Sequence, residues 1–134
     1  MTDCLFCKII AGEIPSHNIY EDDRVIVFLD IRPINPGHAL IVPKSHAADL
    51  RESSVGDVCY AMEIVKKLAP AILKTVGADA FNFSANTGAA AGQAVFHTHF
   101  HVMPRFDGDG YKPWTREGAA DDLASVAERI RANL

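Results

Sequence analysis

The sequence predicts an α+β fold built on a largely antiparallel sheet of five strands, crossed by one long helix and followed by a C-terminal helix. Three observations carry that expectation. Short β-branched and aromatic runs follow one another closely through the first third of the chain, a segment of helical periodicity over residues 55–76 interrupts them, and a strand, a loop and another strand come after it. Strands in runs with helices inserted, rather than strict strand–helix alternation, favour an antiparallel sheet.

Residues 5–11 read as a short helix, after which Gly12 and Pro15 lead into a first strand at Asn18-Ile19-Tyr20. Asp22 and Asp23 make a turn into Arg24–Asp30, so the two strands form a hairpin. Pro33, Pro36 and Gly37 break the pattern before a third strand, His38–Val42, which Pro43 ends. Ser53 or Ser54 can cap a helix in which Val55, Val58, Cys59, Met62, Val65, Ala69, Ile72 and Val76 recur on one face, with Gly77 as its stop. Pro70 is expected to kink or split that helix, because it lacks an N–H and clashes with the preceding turn. Phe81–Asn86 alternates as a fourth strand and the segment from about Phe96 to Met103 as a fifth, joined by the Gly/Ala-rich stretch Gly88–Gly92. After a loop at Asp107–Gly110, Leu123, Val126, Ala127 and Ile130 give helical spacing to Asp121–Asn133, a C-terminal extension of about 119–133.

At 134 residues the chain has the usual size of one domain, here 1–134, and can bury a core without covalent staples. Hydrophobic residues at 49% and charged residues at 22% exclude disorder, collagen-like repeats and coiled coils. A net charge of -4 argues against a groove for polymeric nucleic acid, while single nucleotides remain compatible with it. An acid precedes the short apolar run of Met1–Ile10 and a lysine lies within it, so it does not read as a signal peptide. No apolar stretch reaches the roughly 20 residues a membrane-spanning helix needs, and the cytoplasm is the expected compartment. There the three cysteines, two of them in Cys4-x-x-Cys7, read as thiols or metal ligands.

The chemistry concentrates in His97-Thr98-His99-Phe100-His101. On an extended strand the three imidazoles share one face, while Thr98, Phe100 and Val102 line the other. The outer pair would stand about 13 Å apart, too far for all three to close on one metal. Packing does not account for three imidazoles on one face of an apolar strand, since buried polar groups need hydrogen-bond partners. A neutral imidazole can donate from one ring nitrogen and keep a lone pair on the other, which makes the central histidine a nucleophile able to attack phosphorus. His101 and His38 suit the support of phosphoryl oxygens.

These residues, with Cys4–Ile10, Gly12-Glu-Ile-Pro15, Tyr20–Arg24, Phe28–Ile31, Gly37–His46, Asn86, Gly92-Gln93 and Pro104 in order around them, resemble the histidine triad (HIT) superfamily along almost the whole chain. The sequence is most similar to the short prokaryotic proteins of its Hint branch. The resemblance implies a HIT-like fold and a nucleotide hydrolase or nucleotidyl transferase. Such an enzyme cleaves phosphoramidate or phosphoanhydride bonds at the α-phosphate of purine nucleotides through a covalent nucleotidyl-His99 intermediate. It implies catalytic roles for His99 as nucleophile and for His101 and His38 at the α-phosphate. Asp30 would take the ribose hydroxyls; as a residue alone it also fits a turn ending a strand. Phe6, Ile14, Phe28, Leu29 and Ile31 would form the slot for the base. Asn86, Gln93 and the Val95 amide would lie near the phosphate. A homodimer is implied, paired through the long helix and a sheet edge, with no organic cofactor.

Two positions depart from the family pattern. Ala94 stands where many members carry a Ser or Thr directed toward the leaving group, and Thr98 replaces the first apolar residue of the motif. By residue type Cys4 and Cys7 supply half a tetrahedral zinc site, or two buried thiols. The resemblance completes the set as Cys4, Cys7, His46 and His97, a closed and therefore structural zinc site. Two further readings remain open at this point: a zinc-structured purine-nucleotide-binding adaptor with incidental turnover, and hydrolysis by a metal-activated water.

Overall fold

The computed structural model describes residues 3–112 and 122–134. Its sheet has five strands, β1 (Asn18–Glu21), β2 (Val25–Leu29), β3 (Ala39–Pro43), β4 (Ala80–Ser84) and β5 (Phe100–Arg105), in the order β1-β2-β3-β5-β4. Every pairing is antiparallel. The helices are α1 (Leu5–Ile10), α2 (Val55–Val76) and α3 (Leu123–Ala132), with a 3-10 turn at Ala89–Ala91. The α+β expectation holds element by element.

Alternation along the central strands sends side chains to two separate cores. Val25 and Val27 of β2, Ala39 and Ile41 of β3, and Phe100 and Val102 of β5 face α2 and pack on Ala61, Ile64, Val65 and Ile72. Ile26, Phe28, Leu40 and Val42 face the other way and pack with Phe6 of α1, flanked by Cys4, Ile9, Ile10 and Val95. Register then aligns one row across the second face. Phe28 pairs with Leu40, Leu40 with His101, and Ser84 with His101.

Helix α2 begins where the Ser54 side chain accepts the Asp57 amide and ends at Gly77, whose φ of 73° is left-handed. It runs unsplit through Pro70. Pro70 is exposed, so the carbonyl it leaves unpaired one turn earlier can be taken by water, while Ala69 and Ile72 beside it are buried against the sheet. The apolar face is also rotated from the expected one: Ala61 and Ile64 are buried, whereas Cys59 is exposed and Val55 is 79% exposed.

The fifth strand starts later than alternation predicts, at Phe100 rather than near Phe96, and continues through Pro104 to Arg105. The ladder to β3 stops at Ile41–Phe100 because Pro43 has no N–H to offer and its carbonyl is taken by the His97 ring at 2.7 Å. The Thr98 amide turns instead to the Ala47 carbonyl at 2.9 Å. Helix α3 has no buried residue, with Leu123 and Ile130 exposed. The expected extension over 119–121 lies outside the described residues. Among the described residues no helix is long and apolar enough to cross a membrane.

Candidate active site and metal centre

Under α1, beside the Phe28–Leu40–His101 row, lies a cavity of about 510 Å³. Phe6, Ile14, Phe28, Leu29 and Ile31 form apolar wall, and Asp30, Asn86, Val95, His99 and His101 complete it. Ten of the sequence-derived site residues therefore meet around one space. Phe6 is the hub of its inner wall, edge-on to Phe28 at 5.4 Å and to His99 at 5.0 Å between ring centres. Ile31 is 84% exposed, at the mouth rather than in the core.

His99 is buried and lies just before β5. Its Nδ1 is 2.7 Å from the carbonyl of His97, which only accepts, so Nδ1 carries the proton and Nε2 keeps a lone pair. Burial pushes the His99 pKa below the usual histidine value, against the raising effects of that hydrogen bond and of Asp30. The neutral nucleophilic form is thus favoured at pH 7.

His38 does not line the cavity; it stands buried behind His101, with Nε2 2.9 Å from His101 Nδ1. The Ile34 amide donates to His38 Nδ1 at 3.1 Å, so the His38 proton sits on Nε2 and is given to His101 Nδ1. His101 then carries its own proton on Nε2. Burial, followed by the neighbouring His99 and His38, lowers the His101 pKa to about 4. Asp30 accepts the Arg32 amide through Oδ1 at 2.8 Å, and its Oδ2 lies 3.5 Å from His38 Nε2. Asp30, His38 and His101 come close enough to suggest a metal site. Proton placement opposes it, because a neutral His38 that accepts at Nδ1 has no lone pair at Nε2.

Gln93 is turned away from the cavity. Its amide oxygen accepts from Gly88 N at 2.8 Å, and its nitrogen donates to the carbonyls of Ala48 at 2.7 Å and Val95 at 3.1 Å. It staples the Gly88–Gly92 connection, which is an ordered 3-10 turn rather than a loose one. Asn86 donates weakly to the Gly92 carbonyl at 3.4 Å. Sequence reading missed Leu5, Ile9, Pro15, Ser16, Arg32, Leu40 and Gly92 on the cavity wall, where Ala94 also lies. The helical spacing of Leu5 and Ile9 with Phe6 and the adjacency of Arg32 to Asp30 were the available signals.

Cys4, Cys7, His46 and His97 converge at the far end of α1, their ligand atoms all within 4.8 Å of one another. Cys4 Sγ is 3.4 Å and Cys7 Sγ 3.5 Å from His97 Nδ1; His46 Nδ1 is 3.3 Å from Cys7 Sγ and 3.1 Å from His97 Nδ1. A tetrahedral zinc with ordinary bond lengths sets sulfur–nitrogen edges of about 3.6 Å and a nitrogen–nitrogen edge of about 3.3 Å. The donor set and its spacing therefore fit zinc. His97, fully buried, donates from Nε2 to the Pro43 carbonyl, which leaves Nδ1 free as a ligand. The triad thus divides: His97 joins the cysteines, while His99 and His101 face the cavity with ring centres 5.0 Å apart.

Comparison with known proteins places these features among relatives. The HIT domain family model matches residues 11–108. A HIT-like protein of Methanocaldococcus jannaschii is 44% identical over 128 residues, covering 96% of this chain and 98% of that one. Adenylylsulfatase HINT3 of Arabidopsis thaliana is 47% identical over 107 residues, covering 80% of this chain and 54% of that protein. Among solved structures, a Zn-bound histidine triad family protein from Mycobacterium smegmatis superposes with a TM-score of 0.79 at 35% identity, covering 98% of each chain. A histidine triad nucleotide-binding protein from Candida albicans superposes at 0.84 with 35% identity, covering 98% of this chain and 96% of that one.

Proposed function

Because the chain belongs to the HIT family, we propose that it is a nucleotide hydrolase acting at the α-phosphate of purine nucleotides through a covalent nucleotidyl-His99 intermediate. The observation that carries this reading is the His99 tautomer. With Nδ1–H committed to the His97 carbonyl, the ring keeps its Nε2 lone pair, and His99 borders the cavity.

The apolar slot of Phe6, Ile14, Phe28, Leu29 and Ile31 takes the purine, and Asp30 at its edge takes the ribose hydroxyls. Nε2 of His99 attacks the α-phosphorus and the bond from phosphorus to the leaving group breaks, its electron pair departing with that group. The leaving group is a phosphate or carboxylate anion from an anhydride, or an amine from a phosphoramidate, whose nitrogen takes a proton from water as the bond breaks. Water then attacks the phosphorus, its proton passing to solvent, and the phosphorus–Nε2 bond breaks with its electron pair returning to the ring, which releases the nucleoside monophosphate and restores His99. The Nε2–H of His101 donates to phosphoryl oxygens, and His38 holds that tautomer from behind. Asn86 and Val95 line the same cavity and supply a side-chain amide and a backbone amide for the phosphate, while Gln93 shapes the loop between them. Ala94 brings no hydroxyl to the leaving group.

Zinc held by Cys4, Cys7, His46 and His97 is a closed structural site that ties α1 to the sheet and contributes no chemical step. The Zn-bound relative supports this assignment. A homodimer is supported by the apolar residues left exposed on α2, Val55 above all, and by Phe81 and Phe83 on edge strand β4. Sedimentation equilibrium should return twice the chain mass; a monomer at micromolar concentration rejects that pairing.

His99→Asn should abolish release of nucleoside monophosphate from adenosine and guanosine phosphoramidates and from dinucleoside polyphosphates, while folding and purine binding persist. Turnover surviving this change would reject the covalent mechanism. A wild-type chain that binds these nucleotides without turning any of them over would favour the adaptor reading.

A further inference from the structure

We infer that Asn35 is a positioning residue for His101, acting through the tautomer of His38, and that Asp109 and Arg105 lock it in place. The inference deepens the nucleotidyl-transfer reading, on which its kinetic arm rests.

A neutral imidazole has one N–H, so a chain of imidazoles has a direction. Here the direction is set by one backbone amide. Ile34 N–H points at His38 Nδ1 at 3.1 Å, His38 Nε2 at His101 Nδ1 at 2.9 Å, and the His101 proton is left on Nε2. Reversal of the pair would leave a lone pair on His101 Nε2, which would repel phosphoryl oxygens rather than bind them.

Nothing in the sheet holds the Ile34 amide. It lies in the 30–38 connection, between β2 and β3, which Pro33, Pro36 and Gly37 keep out of regular structure. The backbone ties of that connection are His38 N to the Asn35 carbonyl at 3.2 Å and Asp30 N to the His38 carbonyl at 2.9 Å. The Asn35 side chain supplies the long-range ones. Its Nδ2 donates to the Pro104 carbonyl and to Asp109 Oδ2, both at 2.9 Å, which uses both amide hydrogens. Pro104 lies three residues beyond His101 on β5. Asn35 therefore pins the connection that orients His38 to the strand that carries His101.

Asp109 is built to receive that bond. Arg105 grips it with Nε at 2.7 Å and a terminal nitrogen at 2.8 Å, and the amides of Phe106 and Tyr111 donate to it at 3.1 Å each. These contacts, with Arg105 foremost, hold the Asp109 carboxyl well below the usual carboxylate range, so it remains an acceptor across neutral pH. None of Asn35, Arg105 and Asp109 lines the main cavity. Any effect on turnover is therefore indirect, through the 30–38 connection, and the histidine tautomers report whether it runs through His38.

The test uses the full chain labelled with nitrogen-15 at histidine and compares Asn35→Ala and Asn35→Asp with wild type. The Asp variant keeps the shape and removes both N–H donors. Ring-nitrogen shifts report the tautomers. Wild type should show His38 and His101 protonated at Nε2; either variant should show His101 mixed between tautomers. With a phosphoramidate or dinucleotide substrate, kcat should fall about tenfold and KM should stay within about twofold. A wild-type His101 protonated at Nδ1 overturns the inference, as does a folded Asn35→Asp variant with wild-type tautomers. Unfolding of both variants also overturns it, since Asn35 would then serve fold stability. The tautomer arm needs no substrate, so failure of wild type to turn over any nucleotide would count against the proposed function alone.

Discussion

At the scale of single residues, His101 carries a pH signature that falls between about pH 4 and 6.5. Its pKa falls to about 4 in the folded chain, chiefly by burial, whereas a solvated histidine titrates near 6.5. Between those values the unfolded chain binds more protons than the folded one, so stability is whole above about pH 6.5 and drains away as pH falls toward 4. Glutamine at this position has nothing to titrate. The melting temperature of wild type should therefore fall more steeply between pH 6.5 and 4.5 than that of His101→Gln. Parallel curves would mean that His101 is not buried in its neutral form. His99 shows why two imidazoles of one motif do different work: its Nδ1 is committed to the backbone, whereas His101 Nδ1 is committed to another ring.

The connection between β2 and β3 is the element on which the site turns. Gly37 has a φ of 87°, and an added Cβ would stand 3.1 Å from both Pro104 and Val76 side chains and 3.2 Å from Ile72. Gly77 at the end of α2 has a φ of 73° with nothing within 4 Å. Alanine at Gly77 meets only backbone strain, about 1 kcal/mol, whereas alanine at Gly37 adds a clash against packed side chains and should cost about 2–3 kcal/mol. Urea unfolding of both variants measures the difference; equal losses would mean that the contact at Gly37 relaxes freely. Strand β5 teaches the same lesson. Alternation along 96–103 predicts a strand throughout, yet Pro43 cannot extend the ladder: the Thr98 amide bonds to the Ala47 carbonyl in a loop, and the His97 ring takes the Pro43 carbonyl in place of a backbone amide.

Across the whole molecule, α1 links the Cys/His cluster to the cavity. Cys4 caps its first turn, Cys7 follows one turn later, and Phe6 between them touches both His97 and His99. Loss of the cluster should loosen a wall of the cavity and the fold together. His97→Ala should lower the melting temperature by about 5–10 °C more than His99→Ala, because it removes a metal ligand from a tetrahedral site. Chelation of wild type should move melting in the same direction, and equal melting of the two variants, insensitive to chelator, would reject a metal clamp.

The five strands and α2 were legible in the sequence because each depends on local preference and on which side chains alternate or recur along it. So was most of the cavity lining, because Phe6, Asp30, His99 and their partners sit at spacings that match the HIT pattern. Three things were decided only in three dimensions. Pro43 ended the β5 ladder early, His38 took its place behind His101, and Gln93 became a loop staple rather than a lining group. Each depends on partners far along the chain: Pro43 meets His97 across 54 positions, His38 meets His101, and Gln93 meets Ala48. Hydrophobic periodicity records which face a residue turns inward, but hydrogen-bond direction depends on the group it meets there, and that is set only when the chain has folded.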